Sequence, residues 1–146
     1  MQTLVIGSGT MAPSLALCLA LAGHHTVLVA RRREALGGAE AAAERGYGEL
    51  AEADLLPATA AGWRERLTFD TDMHRNVQKI DFAFEAIAEE SQAKQVLFAA
   101  LDAAAPPEAV LASTTSGMAV DIIAEKCVRQ GRVAVAHFAN PPHLMP

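Results

Sequence analysis

Gly7-Ser8-Gly9-Thr10-Met11-Ala12 constrains this chain more than any other stretch of it. The six residues lie between a short apolar run, residues 3–6, and a strongly helical run, residues 10–21. Pro13 fits a helix there because it falls in the first turn, where its missing N–H has no partner to lose. Gly23 ends the helix, and residues 26–30 form a second apolar, β-branched run. Strand, helix and strand within the first 30 residues make a βαβ unit, whose crossover is right-handed in nearly all proteins. In such a unit each small residue of the turn has a physical use. Gly7 permits the tight bend, Gly9 lets a pyrophosphate approach the backbone, and Ala12 lets the helix pack on the strand. The helix start at Thr10 and Met11 offers free N–H groups and a partial positive charge to the phosphates. The spacing predicts a dinucleotide site at Gly7, Gly9, Thr10, Met11 and Ala12, the alternative being a glycine turn without a ligand.

The second strand ends at Ala30, followed by Arg31, Arg32 and Arg33. Sheets that bind NAD usually carry Asp or Glu at that end, to accept hydrogen bonds from the ribose hydroxyls. A carboxylate would repel a 2′-phosphate, whereas guanidinium groups bind one bidentately. The expectation is NADP(H) in preference to NAD(H), read at Ala30, Arg31 and Arg32. The alternative is a basic, solvated helix start.

Beyond residue 33 the alternation continues. Residues 34–45 read as a helix, 67–69 as a strand, 72–78 as a short helix and 81–86 as a strand. Residues 91–104 read as a helix capped by Ser91, 110–112 as a strand, 119–125 as a helix and 132–137 as a last strand. Residues 46–66, interrupted by Pro57 and Gly62, offer only helical pieces near 49–55 and 60–67. This order predicts an α/β chain of Rossmann type: a doubly wound, mainly parallel sheet with helices on both faces, in one domain over residues 1–146. At 51% apolar and 20% charged the chain can bury a core. It has no run of ~18–20 uncharged apolar residues to cross a membrane, and it opens on a strand rather than a secretory leader. Its 12 basic against 17 acidic residues argue against a nucleic-acid surface. Cys18 and Cys127 lie in apolar helical patterns without ligand or disulfide spacing, so the expectation is buried thiols in a reducing cytoplasm. His24, His25, His74 and His143 show no ligand spacing, and no metal is expected.

Three further segments join residues 7–12 in a pattern: Phe84-Glu85-Ala86-Ile87-Ala88-Glu89-Glu90 with Lys94, Ser113-Thr114-Thr115-Ser116, and His137-Phe138-Ala139-Asn140-Pro141-Pro142. With these the chain resembles the N-terminal, cofactor-binding domain of the 3-hydroxyacyl-CoA dehydrogenase family, which includes 3-hydroxybutyryl-CoA dehydrogenases and the related carnitine and gulonate dehydrogenases. The resemblance implies an oxidoreductase that moves hydride between a nicotinamide cofactor, NAD or NADP, and the C3 hydroxyl of a 3-hydroxyacyl-CoA or a free 3-hydroxy acid. His137 matches the catalytic histidine, which takes the hydroxyl proton as hydride leaves C3. An imidazole suits this role because its ordinary pKa lies near neutrality. Ser116 matches a serine that hydrogen-bonds the substrate oxygen, and Asn140 the asparagine of the motif's Asn-Pro pair. Glu89 and Lys94 match residues along the nicotinamide ribose, with Ala88 and Ser113 beside them in the same segments. Plainer readings stand against these: His137 as a surface residue, Ser116 as a helix cap, Lys94 as a solvated helix charge.

Departures from the family pattern put the acyl-CoA in question. Thr114 stands where the family usually has asparagine, and Ala139 where the acyl-CoA enzymes usually have phenylalanine. Pro141-Pro142-His143-Leu144-Met145-Pro146 is closer to the free-acid and carnitine branch. Glu49, Glu52 and Asp54 fit poorly beside a phosphate-bearing CoA tail. In the family a glutamate soon after this turn orients the histidine, and a helical C-terminal domain closes the substrate cleft and builds a homodimer. The 146 residues include neither, so the expectation is a chain that binds cofactor and turns over substrate poorly. The competing reading is a non-catalytic dinucleotide-binding module. A serine hydrolase built on Ser116 and His137 lacks the G-x-S-x-G elbow.

Overall fold

The computed structural model describes residues 1–145. Six strands form one sheet: β1 (Gln2–Ile6), β2 (His25–Val29), β3 (Leu67–Asp70), β4 (Phe82–Glu85), β5 (Val110–Ser113) and β6 (Val133–Val135). Their order is β3-β2-β1-β4-β5-β6, and every neighbouring pair is parallel. The helices are α1 (Met11–Leu21), α2 (Glu34–Glu52), α3 (Trp63–Arg66), α4 (Met73–Val77), α5 (Ser91–Ala104) and α6 (Val120–Ala124). The chain runs outward from β1 to β3, then returns to place β4 on the other side of β1. That reversal opens a crevice at the carboxyl ends of β1 and β4, where open α/β sheets bind ligands. The Rossmann-type fold expected from the sequence is the one observed.

Successive side chains of a strand point to opposite faces, and β1 divides its residues accordingly. Leu4 and Ile6 join Ala83, Phe98, Leu101, Leu111 and Ile123 in one core. Val5 joins Ala12, Leu15, Ala16, Leu28, Ala39 and Ala43 in the other. The strand ends are tied to one another just past the sheet: the Gly7 N–H donates to Val29 O at 2.9 Å, Ala86 N–H to Ile6 O at 2.8 Å, Thr114 N–H to Glu85 O at 2.9 Å and Ala136 N–H to Ser113 O at 2.9 Å. The carboxyl edge is therefore one continuous hydrogen-bonded rim.

The structure departs from the sequence reading in four places. Helix α2 continues to Glu52 instead of stopping near residue 45. Its buried residues Ala39, Ala43, Gly46 and Leu50 keep helical spacing, and Gly46 serves close approach rather than a break. A Cβ there would stand 3.0 Å from Leu17 Cδ2 on α1 and 3.3 Å from the His143 ring. Ser91 does not cap α5; it is the first helical residue, and Glu90 holds the cap position without a side-chain bond. Strand β6 ends at Val135, so His137 follows the strand rather than ending it. Cys18 on α1 is only part-buried, and Cys127 lies beyond α6, its N–H donating to Ala124 O at 2.8 Å. Burial nevertheless pushes the Cys18 thiol up to about 11 and raises Cys127 as well. Such thiols are protonated and inert near neutrality.

Residues 53–66 close over the core built on Val5. Trp63 is buried and stacks on Tyr47 of α2 at 5.1 Å between ring centroids, with the Arg64 guanidinium 4.9 Å from the Trp63 ring. Arg66 donates to Ala20 O at 2.8 Å, tying α3 to the end of α1. No helix among the described residues is long and apolar enough to cross a membrane, and none of their His, Cys, Asp and Glu groups cluster in the manner of a metal site.

Candidate functional site

A cleft of about 920 Å³ lies over the carboxyl edge at the β1–β4 switch point. Gly7, Ser8, Gly9, Thr10 and Met11 form its floor. The chain reaches this conformation only through Gly7: its φ is +135°, and a Cβ there would stand 2.3 Å from Ala86 O. Gly9 is constrained differently, since no protein atom lies within 4 Å of a Cβ placed on it. The space above Gly9 is what a ligand would need for close backbone approach. Ala12 is fully buried, under the turn. Thr10 makes no side-chain cap on α1, and no acidic residue stands in the first turn, so the helix N–H groups are left for a ligand. The cradle fits a pyrophosphate.

At one end of the cleft stand Val29, Ala30, Arg31, Thr71 and Met73. Of the two arginines expected to read a 2′-phosphate, Arg31 lines the cleft, while Arg32 is exposed and outside its lining. A carboxylate does lie nearby, on Asp70 of β3, paired in register with Val29. It is already engaged: it pairs with Arg75 and accepts from Asn76 Nδ2 at 2.6 Å and from the N–H groups of Thr71 at 2.7 Å and Asp72 at 3.2 Å. The Asn76 and Arg75 bonds hold this carboxyl well below the usual range.

At the other end stand Ala86, Ile87, Ala88, Glu90, Ala93, Leu97 and Thr114. Three expected cofactor residues, Glu89, Lys94 and Ser113, do not line the cleft; they form a polar network beside it. Lys94 is neither solvated nor open to a ligand: it is 1% exposed, and its ammonium lies 2.7 and 2.8 Å from the two oxygens of the fully buried Glu85. Glu85 also accepts from Ser113 Oγ at 2.6 Å and from the Ile87 N–H at 2.7 Å. Lys94 reaches Glu89 at 3.1 Å, and the Thr115 hydroxyl also donates to Glu89. Hydrogen bonding from Thr115, then Lys94, lowers the Glu89 pKa. The network locks the ends of β4 and β5 to the start of α5. Glu85 and Thr115 in the network, and Thr114 in the cleft lining, are the residues to which the sequence assigned no role. An acid inside an apolar strand and a lysine nine positions on was the available signal.

Ser116 is exposed in the turn after β5. The capping bonds of that turn come from its neighbour: Thr115 Oγ1 accepts from Gly117 N–H at 3.3 Å and Met118 N–H at 3.1 Å. His137 and Asn140 are exposed on the segment leaving β6, outside the cleft lining. Phe138 between them packs edge-on to Phe84 of β4 at 6.2 Å. The cleft therefore gathers Gly7, Gly9, Thr10, Met11, Ala30, Arg31 and Ala88, while Ser116, His137 and Asn140 stay on the rim.

The chain matches the family described as "3-hydroxyacyl-CoA dehydrogenase, NAD binding domain" over residues 2–146. It is 33% identical over 144 residues to a probable 3-hydroxybutyryl-CoA dehydrogenase of Deinococcus radiodurans, covering 97% of this chain and 50% of that one. It is 39% identical over 83 residues to an L-carnitine dehydrogenase of Bacillus cereus, covering 57% of this chain and 26% of the other. The crystal structure of 3-hydroxybutyryl-CoA dehydrogenase from Escherichia coli superposes with a TM-score of 0.89 at 33% identity, over 99% of this chain and 31% of that one. The chain thus spans half or less of the length of these relatives. Together, the glycine cradle at the sheet's switch point and the match along nearly every residue identify the chain as a nicotinamide-cofactor-binding domain belonging to the 3-hydroxyacyl-CoA dehydrogenase family.

Proposed function

We propose that this chain is the cofactor-binding part of a dehydrogenase that acts on the C3 hydroxyl of a 3-hydroxyacyl-CoA or a free 3-hydroxy acid, with His137 as general acid–base. The observation that carries this reading is the position of the His137 segment on the same carboxyl rim as the glycine cradle, next to the end of the cleft lined by Ala88 and Thr114. When bound, the nicotinamide supplies hydride acceptance. The chain's own residues do the rest: the α1 start takes the phosphates, the Glu85–Lys94–Glu89 network fixes the rim, and His137 Nε2 or Nδ1 receives the hydroxyl proton. Ser116 and Asn140 orient the substrate oxygen from the rim.

The cofactor is proposed to be NADP(H) in preference to NAD(H). The Ala30 side chain offers no acceptor to a ribose hydroxyl, the acceptors of Asp70 are taken, and Arg31 lines the cleft. A titration with NADPH and NADH, followed by nicotinamide fluorescence, tests this. The expected result is at least ~10-fold tighter NADPH binding, about 1.4 kcal/mol, largely lost in Arg31→Ala. Equal affinities return the cofactor to NAD. Assayed alone, the chain is expected to bind cofactor and turn over substrate slowly, since His137 has no hydrogen-bonded carboxylate among the described residues; turnover at an ordinary dehydrogenase rate would refute that. A binding module without chemistry is the second reading, favoured by the exposure of His137 outside the cleft lining.

A further inference from the structure

We propose that Ser14, His143 and Glu49 form a clasp that positions the segment carrying His137 and Asn140 against the cofactor-binding helix. His143 had no role in the sequence, yet its side chain is only 7% exposed. Its Nδ1 lies 2.7 Å from Ser14 Oγ on α1, and its Nε2 lies 2.7 Å from Glu49 Oε2 on α2. Its main-chain N–H donates to the same Ser14 oxygen at 3.2 Å. These partners assign one tautomer in which every group is used. Ser14 accepts from the His143 N–H and donates to Nδ1, and Nε2–H donates to the Glu49 carboxylate.

The room for the ring comes from Gly46. A Cβ at that position would stand 3.3 Å from both Cε1 and Nε2 of His143. Three elements therefore meet on this imidazole: α1 through Ser14, α2 through Gly46 and Glu49, and the turn after β6. Serine, histidine and a carboxylate in a chain are not read here as a nucleophilic triad, because Ser14 is buried on α1 and its hydroxyl is spent on the turn.

The segment has a second anchor in Phe138, edge-on to Phe84 at 6.2 Å. Between Phe138 and His143 lie Ala139, Asn140, Pro141 and Pro142. Asn140 sits inside a span held at both ends, and His137 sits directly before one anchor. A proton-transfer group contributes only when held in place relative to its partner. Ser14 is also in the first turn of α1, three residues beyond Met11, which lines the cleft. The clasp thus joins the rim segment to the helix that takes the cofactor. Its value for catalysis rests on the dehydrogenase reading above, whereas the holding itself does not.

Ser14→Ala removes the acceptor of the His143 N–H while favouring the helix. By NMR amide exchange of the 146-residue chain, the His143 amide is expected to exchange at least about tenfold faster in this variant, with the amides of β1 and β4 unchanged. The second readout is the His137 imidazole resonance. NADPH is expected to shift it in the wild type, and the shift is expected to fall by half or more in Ser14→Ala and His143→Ala, with NADPH affinity kept within about twofold. His143→Gln, whose amide can accept from Ser14 and donate to Glu49, is expected to restore part of the response. Unchanged His143 exchange in Ser14→Ala overturns the clasp. Faster exchange with an unchanged His137 response overturns the positioning role, as does a loss of NADPH affinity in step with the response. A wild-type His137 signal indifferent to saturating NADPH and NADH alike counts against the dehydrogenase reading, and the exchange data alone then decide the clasp. Glu49→Gln, at the exposed rim of the clasp, keeps the exchange test available should the buried variants unfold.

Discussion

The two halves of the sheet are held together by different means. On the β1–β3 side, α1 and α2 approach through Ala12, Ala16, Ala20, Ala39, Ala43 and Gly46, and charge stays outside, as in the exposed Arg64–Glu44 pair. On the β4–β6 side, charge goes inside. Lys94 and Glu85 are buried together, and Asp102 on α5 gathers Arg129 and Arg132, accepting at 2.8 Å from the Val128 N–H and at 2.8 Å from Arg132 Nε. The difference follows from what each half must do. Small residues bring helix and strand close, which leaves the Gly7–Met11 backbone free to meet phosphates. The second half ends in short elements, with five residues in α6 and three in β6. They bury little area of their own, so directional ionic bonds fix where the rim stands. Buried ion pairs add little net stability over apolar packing, but breaking one is costly.

That contrast can be broken most sharply at Lys94. Lys94→Met leaves the fully buried Glu85 without its counter-ion and is expected to cost about 3–5 kcal/mol, read from urea unfolding. A loss under about 1 kcal/mol would mean the pair is not what holds this half.

Asp102→Asn comes next, at about 1.5–3 kcal/mol for the weakened bonds to Arg129 and Arg132. Burial pushes the Asp102 carboxyl up, but donors from Arg129, Arg132 and Val128 outweigh it and leave the pKa lowered. A lowered folded-state pKa gives stability that is present above the unfolded value, about 3.9, and is lost as pH falls through the folded one. The wild type should therefore lose stability on acidification below about pH 4 more steeply than Asp102→Asn. Parallel pH profiles would remove Asp102 from the account.

The smallest effects separate the two glycines of the other half. Gly7→Ala meets Ala86 O and an unfavourable φ, and is expected to cost roughly 1–3 kcal/mol and to abolish cofactor binding. Gly9→Ala meets no protein atom, and stability should stay within about 0.5 kcal/mol while cofactor affinity falls at least ~10-fold. Equal stability losses at the two positions would show that Gly9 serves the fold rather than the ligand.

Most of the fold was readable because its signals are local. The glycine turn, the β-branched runs and the helix starts all lie within a few residues of what they specify, and the observed strands fall within one or two residues of expectation in most cases. The site was readable in part. Gly7, Gly9, Thr10, Met11, Ala30, Arg31 and Ala88 reach the cleft as expected. Lys94 and Ser113 turn inward to Glu85, and Arg32 turns outward. Nothing local to those residues says which way they face, because the answer is set by the strand or helix packed against them. The length of α2 was hidden for the same reason: the weakened pattern after residue 45 resolves into a helix face only when Leu17 and His143, which pack on Gly46, are known.

By itself, the sequence determined the strand–turn–helix cradle and the alternation that makes a parallel sheet. Both follow from short-range steric limits and from the periods of strand and helix. Tertiary structure alone decided that Glu85 and Lys94 are a buried pair, that Asp70 is fully engaged beside Ala30, and that His143 reaches back 129 residues to Ser14. The His143 contact joins residues distant in the chain, and the worth of the Glu85–Lys94 pair depends on burial, which exists only once the two faces of the sheet have been covered.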